Sequence, residues 1–119
     1  VPGVIAACTE DEIKTPDGCM SCDEVLAFVT ANAQVNAESA SAGCQADEDC
    51  VMAQAESGCL GLCPVAVKSM WALKYVDKIK LVSDDYCKGY QEKCSFAIPA
   101  CEPSEAACVG GTCQAVAIP

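Results

Sequence analysis

The chain has 119 residues, twelve of them cysteine and none histidine or arginine, and a net charge of −10. Affinity for nucleic acid or an anionic membrane surface rests on basic patches, so this charge sets both partner classes aside. Cysteine at about one residue in ten marks a disulfide scaffold, which belongs outside the reducing cytosol, and no apolar run approaches the roughly 18 residues of a membrane span.

In chain order, Val1–Ala7 is a wholly apolar segment. It lacks the basic start of an intact signal peptide, so secretion implies that a signal has been removed. Thr15-Pro16-Asp17-Gly18 is a strong turn signal that isolates the N-terminal segment from the first helix. Ser21 and Glu24 form the capping box of that helix, and Asp23 and Glu24 suit the positive end of its dipole. Cys22, Val25, Leu26, Val29 and Ala33 recur at helical spacing, and Gly43 can end the helix. A short helix is predicted over Cys50–Ser57, stopped by Gly58. A second long helix is predicted from Pro64, a residue suited to the first turn. Its core stripe would be Ala66, Met70, Leu73, Val76 and Ile79, with the Met and Trp residues read as core. From Ser83 onward Pro99, Pro103, Gly110 and Gly111 forbid a continuous helix. The stretch is read as a stapled loop and hairpin, with Val109-Gly110-Gly111-Thr112 as its tight turn.

The expected fold is therefore a mainly α, small disulfide-rich single domain over residues 1–119. It comprises the apolar segment 1–7, a helical part 8–82 and a Cys-rich tail 83–119. The disulfide residues are Cys8, Cys19, Cys22, Cys44, Cys50, Cys59 and Cys63 in a helix-rich set, and Cys87, Cys94, Cys101, Cys108 and Cys113 in the tail. Stapling is expected to be heaviest in the tail, where regular structure is weakest. Zinc is the competing use of cysteine. Without histidine, three all-thiolate sites would be needed to consume twelve ligands, and only one CxxC pair is present.

That pair, Cys19-Met20-Ser21-Cys22, opens a helix, where the dipole lowers a thiol pKa. A thiol–disulfide oxidoreductase is thus one alternative, against a structural use of both cysteines. Asp47-Glu48-Asp49 offers a weak calcium option through Asp47 and Asp49, against a solvated acidic loop. There is no Ser-His pair, no phosphate-binding loop and no arginine for an oxyanion, so the chain is read as non-enzymatic and without cofactor. The charge is divided. Residues 1–63 carry eleven acids and one lysine, and residues 64–119 carry six of each. Lysines such as Lys74 and Lys78 read either as a solvated helix face or as a basic face for the acidic half of a neighbouring copy. The apolar ends, with Val1, Val4 and Ile5 at one and Val116 and Ile118 at the other, read either as packed on their own core or as contacts donated to a neighbour.

Residues 44–113 resemble a Cys-rich module of secreted, often lipid-anchored proteins of myxobacteria. The resemblance rests on Cys44-Gln-Ala-Asp-Glu-Asp-Cys50-Val51, on Cys59…Cys63-Pro64 with Ala66-Val67, and on Cys101…Cys108-Val-Gly-Gly-Thr-Cys113. It implies an envelope or extracellular location. Ile5-Ala6-Ala7-Cys8 is similar to a bacterial lipobox. The sequence keeps Val1–Ala7, and a lipidated Cys8 would leave eleven cysteines, so the match is read as coincidence or ancestry. The function expected from these observations is a structural subunit of an extracellular assembly, a fibre or surface layer, acting as a homo-oligomer or polymer. The alternative is a secreted monomeric binding module or inhibitor.

Overall fold

Residues 8–118 are described by a computed structural model. The Pro16-Asp17 turn joins two short strands, β1 (Glu12–Thr15) and β2 (Gly18–Ser21), into a hairpin. Thr15 holds that turn: its hydroxyl donates to the Gly18 carbonyl at 2.8 Å and accepts from the Asp17 amide at 3.1 Å. Helix α1 (Cys22–Ser41) follows directly, with both halves of the expected capping box formed. The Ser21 hydroxyl accepts from the Glu24 amide at 3.1 Å, and the Glu24 carboxylate accepts from the Ser21 amide at 3.0 Å. Together these satisfy two of the donors that a helix start leaves open.

Beyond α1 the chain departs from the expected pattern. Cys50–Ala53 is strand β3, not a helix, and pairs antiparallel with β4 (Val65–Lys68). Pro64 precedes a strand instead of opening a helix, a position where its missing N–H costs nothing. Val65 and Val67 suit a pleated surface, and Val67 is fully buried. A single 3₁₀ turn, Ser69–Trp71, leads into helix α2 (Ala72–Tyr86), eight residues later than the sequence suggested. A short helix α3 (Tyr90–Lys93) precedes the C-terminal hairpin of β5 (Ser104–Val109) and β6 (Thr112–Ala117). The expected turn at Gly110-Gly111 is present, both glycines having positive φ (59° and 84°) as a two-residue hairpin turn of type I′ demands. The fold is thus mixed rather than mainly α: of the described residues 41% are helical and 26% lie in strands, the latter in three two-stranded sheets.

The helices α1 and α2 pack antiparallel. Ala33 and Ala40 late in α1 meet Tyr75 and Ile79 early in α2. Val25 and Val29 early in α1 meet Val82 and Tyr86 late in α2, together with Ile13 of β1 and Tyr90 of α3. The stripe that α2 buries is Tyr75 and Ile79, flanked by the half-buried Ala72, Val76 and Val82. Of the five residues expected to form it, Leu73 is 81% exposed and Met70 68%. Trp71, read from sequence as core, also lies at the surface. At the other end of the molecule β3 packs on β5 and β4 on β6. The filling between these two hairpins is largely sulfur: Cys44, Cys50 and Cys113 with Ala66, Met52, Ala106 and Cys108.

All twelve cysteines are bridged. The pairs are Cys8–Cys19, Cys22–Cys94, Cys44–Cys108, Cys50–Cys113, Cys59–Cys87 and Cys63–Cys101. Every tail cysteine is joined to a front cysteine, and only Cys8–Cys19 is local. The staples therefore tie the tail to the helical part, and none joins two tail cysteines. Cys108 and Cys113 face each other across the hairpin yet bond elsewhere, to Cys44 and Cys50. In consequence the sulfurs of Cys44, Cys50 and Cys113 lie within 4.8 Å of one another as members of two stacked bridges.

The loop over 95–101, tied down by Cys63–Cys101, crosses close to Gly61. A β-carbon at Gly61 would collide with Pro99 and the Ala97 carbonyl. Gly61→Ala is therefore expected to cost about 1–3 kcal/mol, since backbone must move to make room. The check is the urea midpoint of the variant against that of the wild type.

Candidate binding groove

One flank of the α1–α2 pair is hollow. Asn36, Ser39 and Ala40 of α1 face Lys74, Tyr75 and Lys78 of α2, with Trp71 at the end, around a cavity of about 170 Å³. The helical period places these residues. Asn36 and Ala40 are four apart, as are Trp71 and Tyr75, and Lys74 and Lys78, so each pair shares a face. Alanine at position 40 leaves the space that a larger side chain would fill.

The polar groups around this cavity are incompletely used by the protein itself. Asn36 donates through Nδ2 to the carbonyl and to Oδ1 of Asn32, both at 2.9 Å, which leaves its own Oδ1 as an acceptor. The Lys74 ammonium lies over the Trp71 ring, 5.4 Å from its centroid, a cation–π contact that keeps the cation beside the groove. Tyr75 is only 3% exposed, and burial raises its phenol pKa. Its hydroxyl has no hydrogen-bond partner among the described residues. No fully enclosed side-chain N or O among those residues lacks a partner. The hydroxyl accordingly keeps a small accessible surface, and Tyr75 is among the residues that line the cavity. Among the described residues no carboxylate lines the cavity, whereas two lysines do.

The residues that the sequence pattern points to are distributed unevenly about this groove. Lys74 and Lys78 line it. Val116 is half-buried and Ile118 52% exposed at the far end of the β5–β6 hairpin. The C-terminal apolar segment is thus already paired as a strand, and the Ile118 amide continues the ladder to the Pro103 carbonyl at 3.3 Å. Val1, Val4 and Ile5 lie outside the described residues. Cys19 and Cys22 are not bonded to each other: Cys19 closes the N-terminal hairpin with Cys8, and Cys22 fastens the start of α1 to Cys94. A dithiol site at this CxxC is thereby contradicted, and Cys8 is engaged in a bridge rather than free for lipid. The sequence pattern does not point to Trp71, Tyr75, Asn36 or Ser39 as site residues. The Trp71–Tyr75 and Lys74–Lys78 spacings carry the signal, but Trp71 is read from the sequence as core.

Asp47 and Asp49, the candidate calcium ligands, serve the backbone instead. Asp49 Oδ2 accepts from the amides of Gln45 (2.8 Å) and Ala46 (3.0 Å), and Asp47 Oδ1 accepts from the Cys108 amide at 2.8 Å. The hydrogen bond from Gln45, then that from Ala46, holds the Asp49 carboxyl below the usual aspartate range, with the Lys68 charge adding to the effect. A carboxyl whose folded pKa is lowered adds stability above its unfolded pKa and loses it as pH falls through the folded value. Asp49→Ala should therefore remove hydrogen-exchange protection at the Gln45 and Ala46 amides at neutral pH. The stability gap between wild type and variant should close in strong acid.

No family model matches the chain, and neither a curated protein nor a solved structure shows significant similarity to it.

Proposed function

We propose that this chain is a non-enzymatic extracellular binding module that presents the α1–α2 groove to a small ligand. The observation that carries the reading is a cavity ringed by Trp71 and two lysines and lined by Tyr75, whose hydroxyl has no partner among the described residues. A hydroxyl that the protein itself does not use can both donate to and accept from a ligand. Six disulfides suit a domain working in an oxidising space, and the resemblance of residues 44–113 to secreted bacterial modules supports the same location. Bridges fasten both ends of α1, at Cys22 and Cys44, and the end of α2, at Cys87, which limits the ordering that binding would require.

The test is where ligands land. A fragment library titrated into labelled protein should perturb the amides of Asn36, Ser39, Trp71, Tyr75 and Lys78 together. Hits scattered over the surface, or gathered elsewhere, would overturn the reading.

A second reading, a structural subunit of a fibre or surface layer, is favoured by the exposure of Met70, Leu73 and Ile98, the last 84% exposed. Large apolar side chains left open are a common mark of protein contact surfaces. Strictly monomeric behaviour in sizing chromatography and negative-stain microscopy, at high concentration with salt or acid, would sink it.

A further inference from the structure

We infer that the α1–α2 groove takes one carboxylate-bearing sugar ring, a uronate unit, with the ring against Trp71 and the carboxylate between Lys74 and Lys78; this rests on the binding-module reading.

Four features of the groove converge on that chemistry. The cavity, about 170 Å³, is below the range of pockets for drug-sized ligands and suits a single six-membered ring with its substituents. Trp71 is 37% exposed beside it and supplies an apolar π surface, the partner for the C–H face of a pyranose. The remaining lining is mixed in hydrogen-bonding sense. The hydroxyls of Ser39 and Tyr75 both donate and accept, while Asn36 Oδ1 accepts. Sugar hydroxyls, each donor and acceptor at once, match such a set. A bare phosphate has no ring and would leave the Trp71 face without a partner. Finally, Lys74 and Lys78 lie one helical turn apart on the same wall with no carboxylate in the lining to neutralise them. A carboxylate between two ammonium groups gains charge-assisted hydrogen bonds, roughly twice as strong as neutral ones.

Trp71 is the only tryptophan in the chain, so its emission reports directly on the groove. Sodium D-glucuronate is expected to change that emission saturably. D-glucose, which keeps the ring but not the charge, should bind at least about tenfold more weakly. Acetate, which keeps the charge but not the ring, should do no better than glucose. Lys78→Gln should bring glucuronate down to the level of glucose, and Tyr75→Phe should weaken both sugars while preserving the packing of the ring. A polyuronate should bind in the same groove, with Trp71 and Lys78 needed equally. Glucose equal to glucuronate, acetate equal to glucuronate, or no response to glucuronate would each overturn the inference. A glutamate-rich peptide that shifts Trp71 emission where glucuronate does not would overturn the uronate assignment and leave the binding-module reading standing. Silence at Trp71 for every probe, with fragment hits elsewhere, would overturn both.

Discussion

Replacing Cys44, Cys50, Cys108 and Cys113 together by alanine is expected to cost about 6 kcal/mol, against about 3 kcal/mol for removing either bridge alone. The reason is that the two bridges span nearly the same loop. Cys44–Cys108 and Cys50–Cys113 have sequence separations of 64 and 63. While one is intact, the other closes an effective circuit of only about a dozen residues, and chain entropy assigns such a loop about 3 kcal/mol. Once both are gone, the β5–β6 hairpin must be held over a much longer path, through Cys63–Cys101. An isolated two-stranded hairpin is marginal in water, and this one lacks a broad apolar face to compensate. What remains is the Asp47 bond to the Cys108 amide and the Gly111 carbonyl, which accepts from the amides of Gly43 (2.8 Å) and Cys44 (3.1 Å). Urea midpoints measure the whole effect. Hydrogen exchange locates it: the amides of Gln114 and Val116 should lose protection first, while those of α1 and α2 keep theirs. A quadruple variant no less stable than either double variant would show that the hairpin is secured by its strand packing instead.

The parts of this fold that were legible in the sequence are those with local causes. The capping box at Ser21 and Glu24 acts within one turn, the Gly110-Gly111 turn needs only two glycines with positive φ, and Thr15-Pro16-Asp17-Gly18 turns the chain on its own hydrogen bonds. What could not be read has distant causes. β3 and β4 are four residues each and gain their order from one another across eleven intervening residues. A four-residue apolar stretch such as Cys50–Ala53 fits a strand or a helical turn equally well. The start of α2 has no side-chain cap to announce it, its N-cap position being Trp71. That one absence moved the predicted helix start eight residues early, and the expected stripe fell on Met70 and Leu73, which are exposed, instead of on Tyr75. The disulfide partners were similarly beyond reach. Twelve cysteines leave their connectivity open, and in the structure each tail cysteine reaches back to the helical part.

Ile79→Ala and Leu73→Ala separate the two possible registers of α2. Both residues belong to the stripe that the sequence suggested, and a helix begun at Pro64 would bury both. In the structure Ile79 is 3% exposed, packed among Ala33, Tyr75 and Val67, while Leu73 is 81% exposed. Truncating a buried isoleucine removes its transfer free energy and leaves a cavity that neighbours refill only in part, a loss of about 2–5 kcal/mol. The upper half of that range is expected here, because the adjoining stretch is held by bridges at Cys59–Cys87 and Cys63–Cys101 and has little freedom to collapse. Leu73→Ala should fall within about 0.5 kcal/mol of wild type, as surface substitutions do, with alanine's better helix propensity offsetting part of any lost contact. Equal destabilisation by the two would mean that α2 is rotated about its axis to bury Leu73 as well, which would carry the face bearing Trp71, Lys74 and Lys78 away from its place against α1. Denaturant midpoints of these two variants therefore test the helix and the groove in one measurement. The groove exists only if α2 presents Trp71, Tyr75 and Lys78 on one side and buries Ile79 on the next.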